Sequence, residues 1–337
     1  MAATAFETWL SPPEFQRAAR ASLTQTPAGV DPWFHGYHGD LLDDRGYDAW
    51  VRAKAQLVAL IGGARGREIV DAGSGFGMVA NLLASWGARR VWAAEVHTPM
   101  VNSHRRVLDA HFARLREHVH PIRTDVSRLP IANRSADVVL SIEAISHYFD
   151  VERFFDECAR VLRPGGYVVI SDGNNGANPR IRRHTEELWQ RFESGPTGIL
   201  GDHEIPEPMV VRRERVLRTE FPQLDQGRVL ALAKATSGFD VGQIVTAVRA
   251  HLDGGPAPDS PYRRGDCPRE PVWGYWLERL FDPRDLCRML EARGFRAHAL
   301  PHYGGAKNDL VLAINVALRQ VPSFRFARAY RVVARRL

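Results

Sequence analysis

The strongest constraint on the fold is a regular alternation of short apolar strands with amphipathic helices between Glu68 and Asp172. The hydrophobic spacing predicts strands at 68–71, 90–95, 121–125, 137–142 and 167–171, and helices at 47–60, 78–85, 99–115 and 151–162. Because neighbouring parallel strands are joined by crossover helices, this rhythm is typical of an open α/β sheet. The sequence therefore predicts a mostly parallel α/β domain.

The alternation stops after Asp172 and returns much later. The stretch from Asn174 to about Trp276 is rich in proline, glycine and arginine, and it predicts helices at 180–192 and 241–252 with no clear strand. Asp282 and Pro283 then begin a helix, which is followed by predicted strands at 297–303 and 309–318. An interruption of roughly 100 residues exceeds an ordinary loop, so we interpret it as an organised, mainly helical insertion before the last two strands.

The composition excludes several classes of protein. With 45% hydrophobic and 25% charged residues the chain is neither disordered nor fibrous, and no apolar run approaches the ~18 residues that cross a bilayer. The N-terminus lacks the basic opening and apolar core of a secretory signal, and the three cysteines form no C-x-x-C pair. His111, His118 and His120 lack further ligands nearby, so no metal site is expected. These features predict a cytoplasmic protein with reduced thiols.

The basic charge is concentrated at one end. Residues 319–337 hold six arginines and no acid, which equals the formal charge of +6 on the whole chain and leaves the remainder neutral. A neutral body argues against a nucleic-acid groove. Phe326, Tyr330, Val333 and Leu337 recur at helical steps, which favours a tail helix; it would lie on an anionic membrane surface, dock on the sheet with solvated arginines, or fray.

A glycine-rich loop follows the first predicted strand, with the sequence Asp71-Ala-Gly73-Ser-Gly75-Phe-Gly77. Its glycines let the backbone turn sharply and approach a ligand at the start of the next helix. The dinucleotide fingerprint G-x-G-x-x-G/A would place a small residue at position 78, where this chain has Met78. Two acids then occur at the ends of the second and third predicted strands, Glu95 and Asp125.

With these motifs, the sequence resembles the class I S-adenosylmethionine-dependent methyltransferases, in particular the small-molecule branch of the methyltransferase type 11 kind. The resemblance covers about Val70 to Asp172 and the closing elements from Asp282 to Leu318. It rests on Val70-Asp-Ala-Gly-Ser-Gly-Phe-Gly77, Leu129-Pro-Ile-Ala, Asp137-Val-Val-Leu-Ser-Ile-Glu-Ala-Ile-Ser-His147 and Val161-Leu-Arg-Pro-Gly-Gly166. It implies a Rossmann-like sheet with an antiparallel closing strand.

The same resemblance implies S-adenosyl-L-methionine as the cofactor and assigns the residues that hold it. Gly73 and Gly75 would let the backbone pass beside the methionine moiety, and Asp71 would hold its ammonium through water. Glu95 would accept hydrogen bonds from the two ribose hydroxyls. Asp125 would bind the exocyclic amine of adenine while Val126 donates from its backbone. By themselves, Glu95 and Asp125 would equally suit the capping of the helices that follow.

His147 is the candidate catalytic residue, at the carboxyl end of the fourth strand where ligands of open α/β sheets collect. In the sugar and polyketide O-methyltransferases that this segment resembles, a histidine here removes the acceptor's hydroxyl proton, helped by an aspartate after the fifth strand, which is Asp172 in this chain. Many of those proteins have a second histidine where this chain has Ser146, which leaves the proton route open. A solitary histidine is otherwise more often structural.

The expected reaction is O-methylation of a hydroxyl on a saccharide, glycolipid or natural product. The alternatives are C- or N-methylation of a small molecule or lipid, and a methyltransferase-like domain that only binds. Ser141-Ile-Glu-Ala occupies the place of the Asn/Asp-Pro-Pro-aromatic tetrapeptide with which amino-directed enzymes stack a flipped base, so no nucleic-acid substrate is expected.

The predicted divisions of the chain are 1–46 as an N-terminal lid, 47–173 as the cofactor-binding core, 174–276 as a substrate lid, 277–318 as closing elements and 319–337 as the basic tail. Aromatic residues outside the sheet pattern are expected to line the acceptor pocket or, equally, to pack the lid on the sheet. They are Trp33, Tyr37, Trp189, Trp273, Tyr275 and Trp276.

Overall fold

The computed structural model describes residues 12–201, 203–304 and 323–337. The chain divides into two compact units. The first contains the residues up to Ile145, Asp150–Asn175 and Asp282–Leu337, and the second contains Ser146–Phe149 and Gly176–Phe281.

The regular elements follow one another along the chain as a mixed series of helices and strands. Up to the end of the fifth strand they are α1 (Pro13–Thr24), α2 (Trp33–His38), α3 (Asp44–Ala59), β1 (Glu68–Ala72), α4 (Met78–Ser85), β2 (Arg90–Glu95), α5 (Thr98–His111), β3 (Val119–Arg123), β4 (Ala136–Ile142), α6 (Val151–Val161) and β5 (Leu162–Asp172). The later elements are α7 (Pro179–Ser194), β6 (Gly198–Leu200), β7 (His203–Ile205), α8 (Met209–Glu220), α9 (Gln226–Ala235), α10 (Val241–Leu252), α11 (Pro283–Glu291), β8 (Phe295–His302) and β9 (Ala329–Arg336).

The first unit is built on a seven-stranded sheet with the order β3-β2-β1-β4-β5-β9-β8. The five strands β3, β2, β1, β4 and β5 are each parallel to their neighbours among these five. Strand β9 runs antiparallel to both β5 and β8. Every residue of β1 is buried, as expected for a central strand covered on both faces. The predicted Rossmann-like fold with an antiparallel closing strand is confirmed.

Aspartate side chains cap the starts of α6 and α11 in this unit. The Asp150 carboxylate accepts a hydrogen bond from the Arg153 backbone N–H at 2.9 Å and begins α6, and Asp282 with Pro283 begins α11. The apolar faces of these helices are buried, with Phe154 and Phe155 of α6 fully shielded. Burying a side chain of this size contributes roughly 1.5–3 kcal/mol.

The N-terminal helices belong to the core of the first unit. Phe15 of α1 is fully buried, and its ring centroid lies 6.2 Å from that of Trp50 and 5.6 Å from that of Phe112. Phe34 of α2 is also buried and packs edge-on against Phe76 at 5.6 Å. This segment therefore packs directly on the loop and helix that follow β1.

The C-terminal segment corrects the sequence interpretation. The prediction of a tail helix is wrong for residues 329–336, because they form β9. Contact of the basic tail with a membrane surface stays a prediction. Strand β9 pairs with β5 on one side and with β8 on the other. Its β-branched residues Val332 and Val333 favour a strand. Arg331 is 5% exposed and donates to the Gln56 side chain at 3.0 Å, so this arginine is part of the interior.

The other closing strand, β8, agrees with the strand predicted at 297–303, and the strand predicted at 309–318 lies outside the described residues. The second unit is mainly helical, as predicted for the insertion, but the expectation of no strand there is wrong. β6 and β7 pair as a short antiparallel hairpin from Gly198–Ile205 to Leu200–His203. Among the described residues, no helix has both the length and the apolar character needed to span a bilayer.

Candidate functional site

The loop between β1 and α4 is held in a conformation that favours glycine. Gly73, Gly75 and Gly77 have φ values of +70°, +54° and +75°, which are left-handed for each. The backbone N–H groups of Gly73 and Ser74 donate to the Ala94 carbonyl at 2.9 and 3.0 Å, so the loop is tied to the end of β2. A Cβ at Gly75 would meet no atom within 4 Å, and the backbone there is open to a ligand.

Gly77 has a different reason to be glycine. A Cβ at this position would lie about 2.0 Å from the imidazole ring of His104, which is 1% exposed. His104 in turn contacts the Asn81 side-chain oxygen through Nε2 at 3.2 Å, and burial lowers its pKa to about 3. The neutral His104 imidazole therefore packs against the glycine loop at Gly77.

Glu95 lies at the end of β2 and is 6% exposed. Its Oε2 accepts from the Gly75 backbone N–H at 3.0 Å, and its Oε1 accepts from the His97 backbone N–H and lies 2.9 Å from His97 Nδ1. Burial works to raise the pKa of Glu95, but the hydrogen bonds from His97 and Gly75 outweigh it and hold the pKa below its usual value. The site thus contains an ionised carboxylate, both of whose oxygens accept hydrogen bonds.

Asp71, in β1, has the opposite electrostatics. It is 3% exposed, and burial, reinforced by the Glu95 carboxylate, raises its pKa to about 7. The Ala80 backbone N–H of α4 and the charge of Lys54 oppose this shift. Its Oδ2 has no hydrogen-bond partner among the described residues. A buried carboxylate oxygen in this state is suited to a cationic ligand.

Asp125 and Val126 follow β3, which ends at Arg123 instead of at residue 125 as predicted. The Asp125 Oδ1 accepts from the Ser127 backbone N–H at 2.9 Å, a local turn that ends the strand. Thr124 donates its backbone N–H to the Glu95 carbonyl at 2.9 Å, so this turn adjoins the end of β2. The structure thus brings Asp71, Gly73, Gly75 and Glu95 together, with Asp125 and Val126 on the neighbouring turn.

His147 belongs to the second unit, in the single turn Ile145–His147. Its Nδ1 lies 3.0 Å from the Trp276 carbonyl oxygen, and its ring meets that of Tyr275 edge-on at 6.3 Å. A carbonyl only accepts hydrogen bonds, so Nδ1 carries the proton and the Nε2 lone pair is available as a base. The group that holds this imidazole at Nδ1 is therefore a backbone carbonyl.

Asp172 ends β5 in the first unit and is fully buried. Its Oδ1 accepts from the Asn174 backbone N–H at 2.8 Å. Burial raises the pKa of Tyr330, the residue paired with Asp172 across β5 and β9, and the charges of Asp172 and Glu143 add to that shift. The partnership of Asp172 with His147 stays a prediction.

The aromatic residues predicted for the acceptor pocket behave differently from one another. The Trp189 and Trp276 indole N–H groups donate to the Glu278 and Phe149 carbonyls, so both rings are held by hydrogen bonds within the second unit. Trp273 is 58% exposed and lines a cavity of about 310 Å³ with Phe149, Asp240 and Arg269. Trp33 and Tyr37, in the first unit, are exposed and stack on each other.

Sequence reasoning missed three polar residues of the first unit, namely His38, Lys54 and Glu143. The signal for Lys54 was its place on the apolar face of α3, four residues after Trp50 and four before Val58. Glu143 has a positive φ of +49°, rare outside glycine, and its Oε2 accepts from the Gly173 backbone N–H at 2.9 Å. Single-sequence patterns carry no signal for that backbone conformation.

The sheet order, the glycine loop, and the ionised acid at the end of β2 together define a class I methyltransferase domain. Residues 70–170 match the family described as methyltransferase domain. This confirms the resemblance seen in the motifs: the chain carries a domain of the class I S-adenosylmethionine-dependent methyltransferase family.

Three relatives show the range of proteins that share this domain. The chain is similar to a probable S-adenosylmethionine-dependent methyltransferase of Mycolicibacterium smegmatis, 35% identical over 109 residues, which are 32% of this chain and 39% of that protein. A dimethylglycine N-methyltransferase of Parasynechococcus marenigrum is 34% identical over 105 residues, 31% of this chain and 36% of that protein. Sterol methyltransferase-like 3 of Botryococcus braunii is 28% identical over 123 residues, 36% of this chain and 31% of that protein. The chain therefore covers less than half the length of these relatives.

Proposed function

We propose that the protein is an S-adenosylmethionine-dependent methyltransferase that acts on a small-molecule acceptor, a hydroxyl of a saccharide, glycolipid or natural product. The observation that carries the methyltransferase assignment is the arrangement of one ionised and one protonatable carboxyl, Glu95 and Asp71, around an open glycine loop at the carboxyl edge of the sheet. The names of the relatives agree with this class.

The residues present fit this cofactor. Asp71 has a buried oxygen without a partner among the described residues, which suits the ammonium of the methionine moiety, and the ionised Glu95 suits the ribose hydroxyls. When bound, the cofactor supplies a methyl group on a positively charged sulfur, which is already activated for displacement. The chain's own task is then to align the acceptor and remove its proton.

His147 is the proposed base for that proton. A neutral imidazole whose Nδ1–H is held by the Trp276 carbonyl presents Nε2 as the proton acceptor. A hydroxyl is a poor nucleophile until its proton leaves, so this group favours an oxygen acceptor. The cavity beside Phe149 and Trp273 lies in the same unit as His147 and offers an aromatic wall to a ring-shaped acceptor.

The names of the relatives also support a second candidate. One is a dimethylglycine N-methyltransferase and another a sterol methyltransferase-like protein. N- or C-methylation of a small molecule or lipid is therefore the alternative reaction. A domain that binds the cofactor without turnover is the third possibility, and measurable product would contradict it.

Cofactor binding is tested by thermal unfolding with added ligand. S-adenosylmethionine and its demethylated product are expected to raise the melting temperature, because a ligand that binds only the folded state stabilises it by mass action. NAD(H) serves as the control and is expected to give no shift. A response to NAD(H) with none to either sulfur compound would overturn the proposal.

The base is tested by His147→Ala, which we expect to lower turnover by roughly 100-fold while leaving cofactor affinity nearly unchanged. His251→Ala is a matched control, since His251 also has Nδ1 against a backbone carbonyl, that of Gly255 at 3.2 Å, in the same unit. Unchanged turnover in the His147 variant would point to an acceptor that needs no base. To find the acceptor, transfer of a tritiated methyl group into cell extracts would be followed by mass spectrometry, and label found only in nucleic acid would contradict a small-molecule acceptor.

A further inference from the structure

His38, the last residue of α2, is half-buried and has two buried ring nitrogens without an evident role in the fold. Its ring packs edge-on against Phe34 at 5.2 Å and Phe76 at 6.1 Å. Both ring nitrogens are shielded from solvent and have no hydrogen-bond partner among the described residues. Because an unsatisfied buried imidazole is costly, these nitrogens are expected to face a polar ligand.

The position of His38 relates it to the glycine loop. Phe76, which it contacts, lies between Gly75 and Gly77, and the space beside Gly75 is open. His38 is therefore a neighbour of the segment that is proposed to pass along the cofactor's methionine moiety.

Lys54 of α3 is the cation of this neighbourhood. Its ammonium lies 4.8 Å from the centre of the Trp50 ring. Burial lowers its pKa to about 8, while the carboxylates of Glu143 and Asp71 act in the opposite direction. Burial, with the Lys54 charge adding to it, also lowers the pKa of His38 to about 4. At neutral pH Lys54 is thus charged, while His38 is neutral.

We propose that Lys54 and His38 bind the α-carboxylate of the cofactor's methionine moiety, beside the Asp71 that receives its ammonium. This inference rests on the proposed function. An amino acid bound away from water presents two opposite charges on one carbon, and each requires a counter-charge or hydrogen-bond donor. Asp71 serves only the positive one, whereas Lys54 supplies a positive charge and neutral His38 supplies one N–H donor. In this arrangement α2 and α3 complete the cofactor site.

The test compares two ligands that differ only in the carboxylate: S-adenosylhomocysteine and its decarboxylated analogue. Affinities are measured by calorimetry for the full chain and for Lys54→Met, Lys54→Arg and His38→Leu. Lys54→Met is expected to lower the affinity for S-adenosylhomocysteine by about 10- to 100-fold, the range of a charge-assisted contact. The affinity for the analogue should change less than about twofold. His38→Leu should lower the affinity for S-adenosylhomocysteine by about three- to tenfold. Lys54→Arg should retain most of the preference for S-adenosylhomocysteine over its decarboxylated analogue.

Matched controls are Lys234→Met, an exposed lysine of the second unit, and His118→Leu, an exposed histidine of the first, neither of which should alter either affinity. Equal weakening of both ligands by Lys54→Met and His38→Leu, or no weakening of either, would overturn this inference while the proposed function stands. If the unaltered chain binds neither ligand, the proposed function itself fails.

Discussion

A buried ion pair of the second unit and a group of buried polar residues in the first unit differ in how their polar atoms are satisfied. In the second unit, the fully buried Arg213 pairs with the Glu193 carboxylate and donates to the Ala233 carbonyl at 2.7 Å and to Ser237 at 3.1 Å. In the first unit, Asp71 and His38 have buried polar atoms without partners among the described residues, and burial shifts the pKa of each towards the neutral form.

The buried ion pair stabilises the fold, whereas the buried polar atoms without a partner are suited to binding a ligand. A buried ion pair whose donors are satisfied, such as Arg213 with Glu193, fixes the packing of helices α7 and α8. Perturbed and incompletely satisfied groups that gather at the end of parallel strands are instead typical of binding sites. The comparison predicts that variants of the two kinds will affect different measurements.

Breaking the pair in the second unit should give the largest effect. Arg213→Met leaves Glu193 as a buried charge without its partner, so the free energy of unfolding is expected to fall by about 3–5 kcal/mol. The measurement is denaturant unfolding, with hydrogen exchange to locate the loss in α7, α8 and α9. The exposed Arg215 of the same helix is the control, and Arg215→Met should change stability by less than about 0.5 kcal/mol.

Equal stability of Arg213→Met and the unaltered chain would show that the pair is not structural. The double variant Arg213→Met with Glu193→Gln sharpens the point. It should recover part of the loss, because no charge is then left buried alone.

The next effect concerns Glu95 and appears in binding. Glu95→Ala removes an ionised hydrogen-bond acceptor. It should make the binding free energy of S-adenosylhomocysteine, measured by calorimetry, less favourable by about 1.5–3 kcal/mol. Glu68 is the matched control, since it is as deeply buried but lies at the opposite end of the sheet, paired with Arg163 at 2.9 Å. Glu68→Gln should lower stability and leave the affinity unchanged. If both variants bind the ligand equally well, Glu95 has no place in the cofactor site.

The elements of the first unit could be predicted from the sequence wherever one local signal decides. The bounds of α4 and β2 agree with the prediction to the residue, because glycine, apolar spacing and a terminal acid all coincide there. The tail could not be predicted in this way. Its apolar residues fit a helix as well as a strand. The strand is decided by long-range pairing, because β9 pairs with β5 on one side and with β8 on the other.

The site divides along the same line. Asp71, Gly73, Gly75 and Glu95 follow a linear motif and adjoin one another in the structure. His38 and Lys54 are brought to that loop by packing of α2 and α3, which no motif records. The Trp276 carbonyl that orients His147 is 129 residues away along the chain, so no local pattern could predict it.

The smallest predicted effect is a pH dependence that isolates Asp71. Its pKa is about 7 in the folded chain and near the ordinary 3.8 when unfolded, so the folded state binds its proton more tightly between these values. The contribution of Asp71 to the free energy of unfolding therefore falls as pH rises from about 4 to about 7. His38 and His104, whose pKa values are lowered by burial, act in the opposite sense over much of this range. The informative quantity is thus the difference between the unaltered chain and Asp71→Asn, which should decline by about 1 kcal/mol from pH 6 to pH 7. A difference that stays flat over that interval would mean that Asp71 is ionised throughout, and the contrast between the two units would then rest on His38 and Lys54 alone.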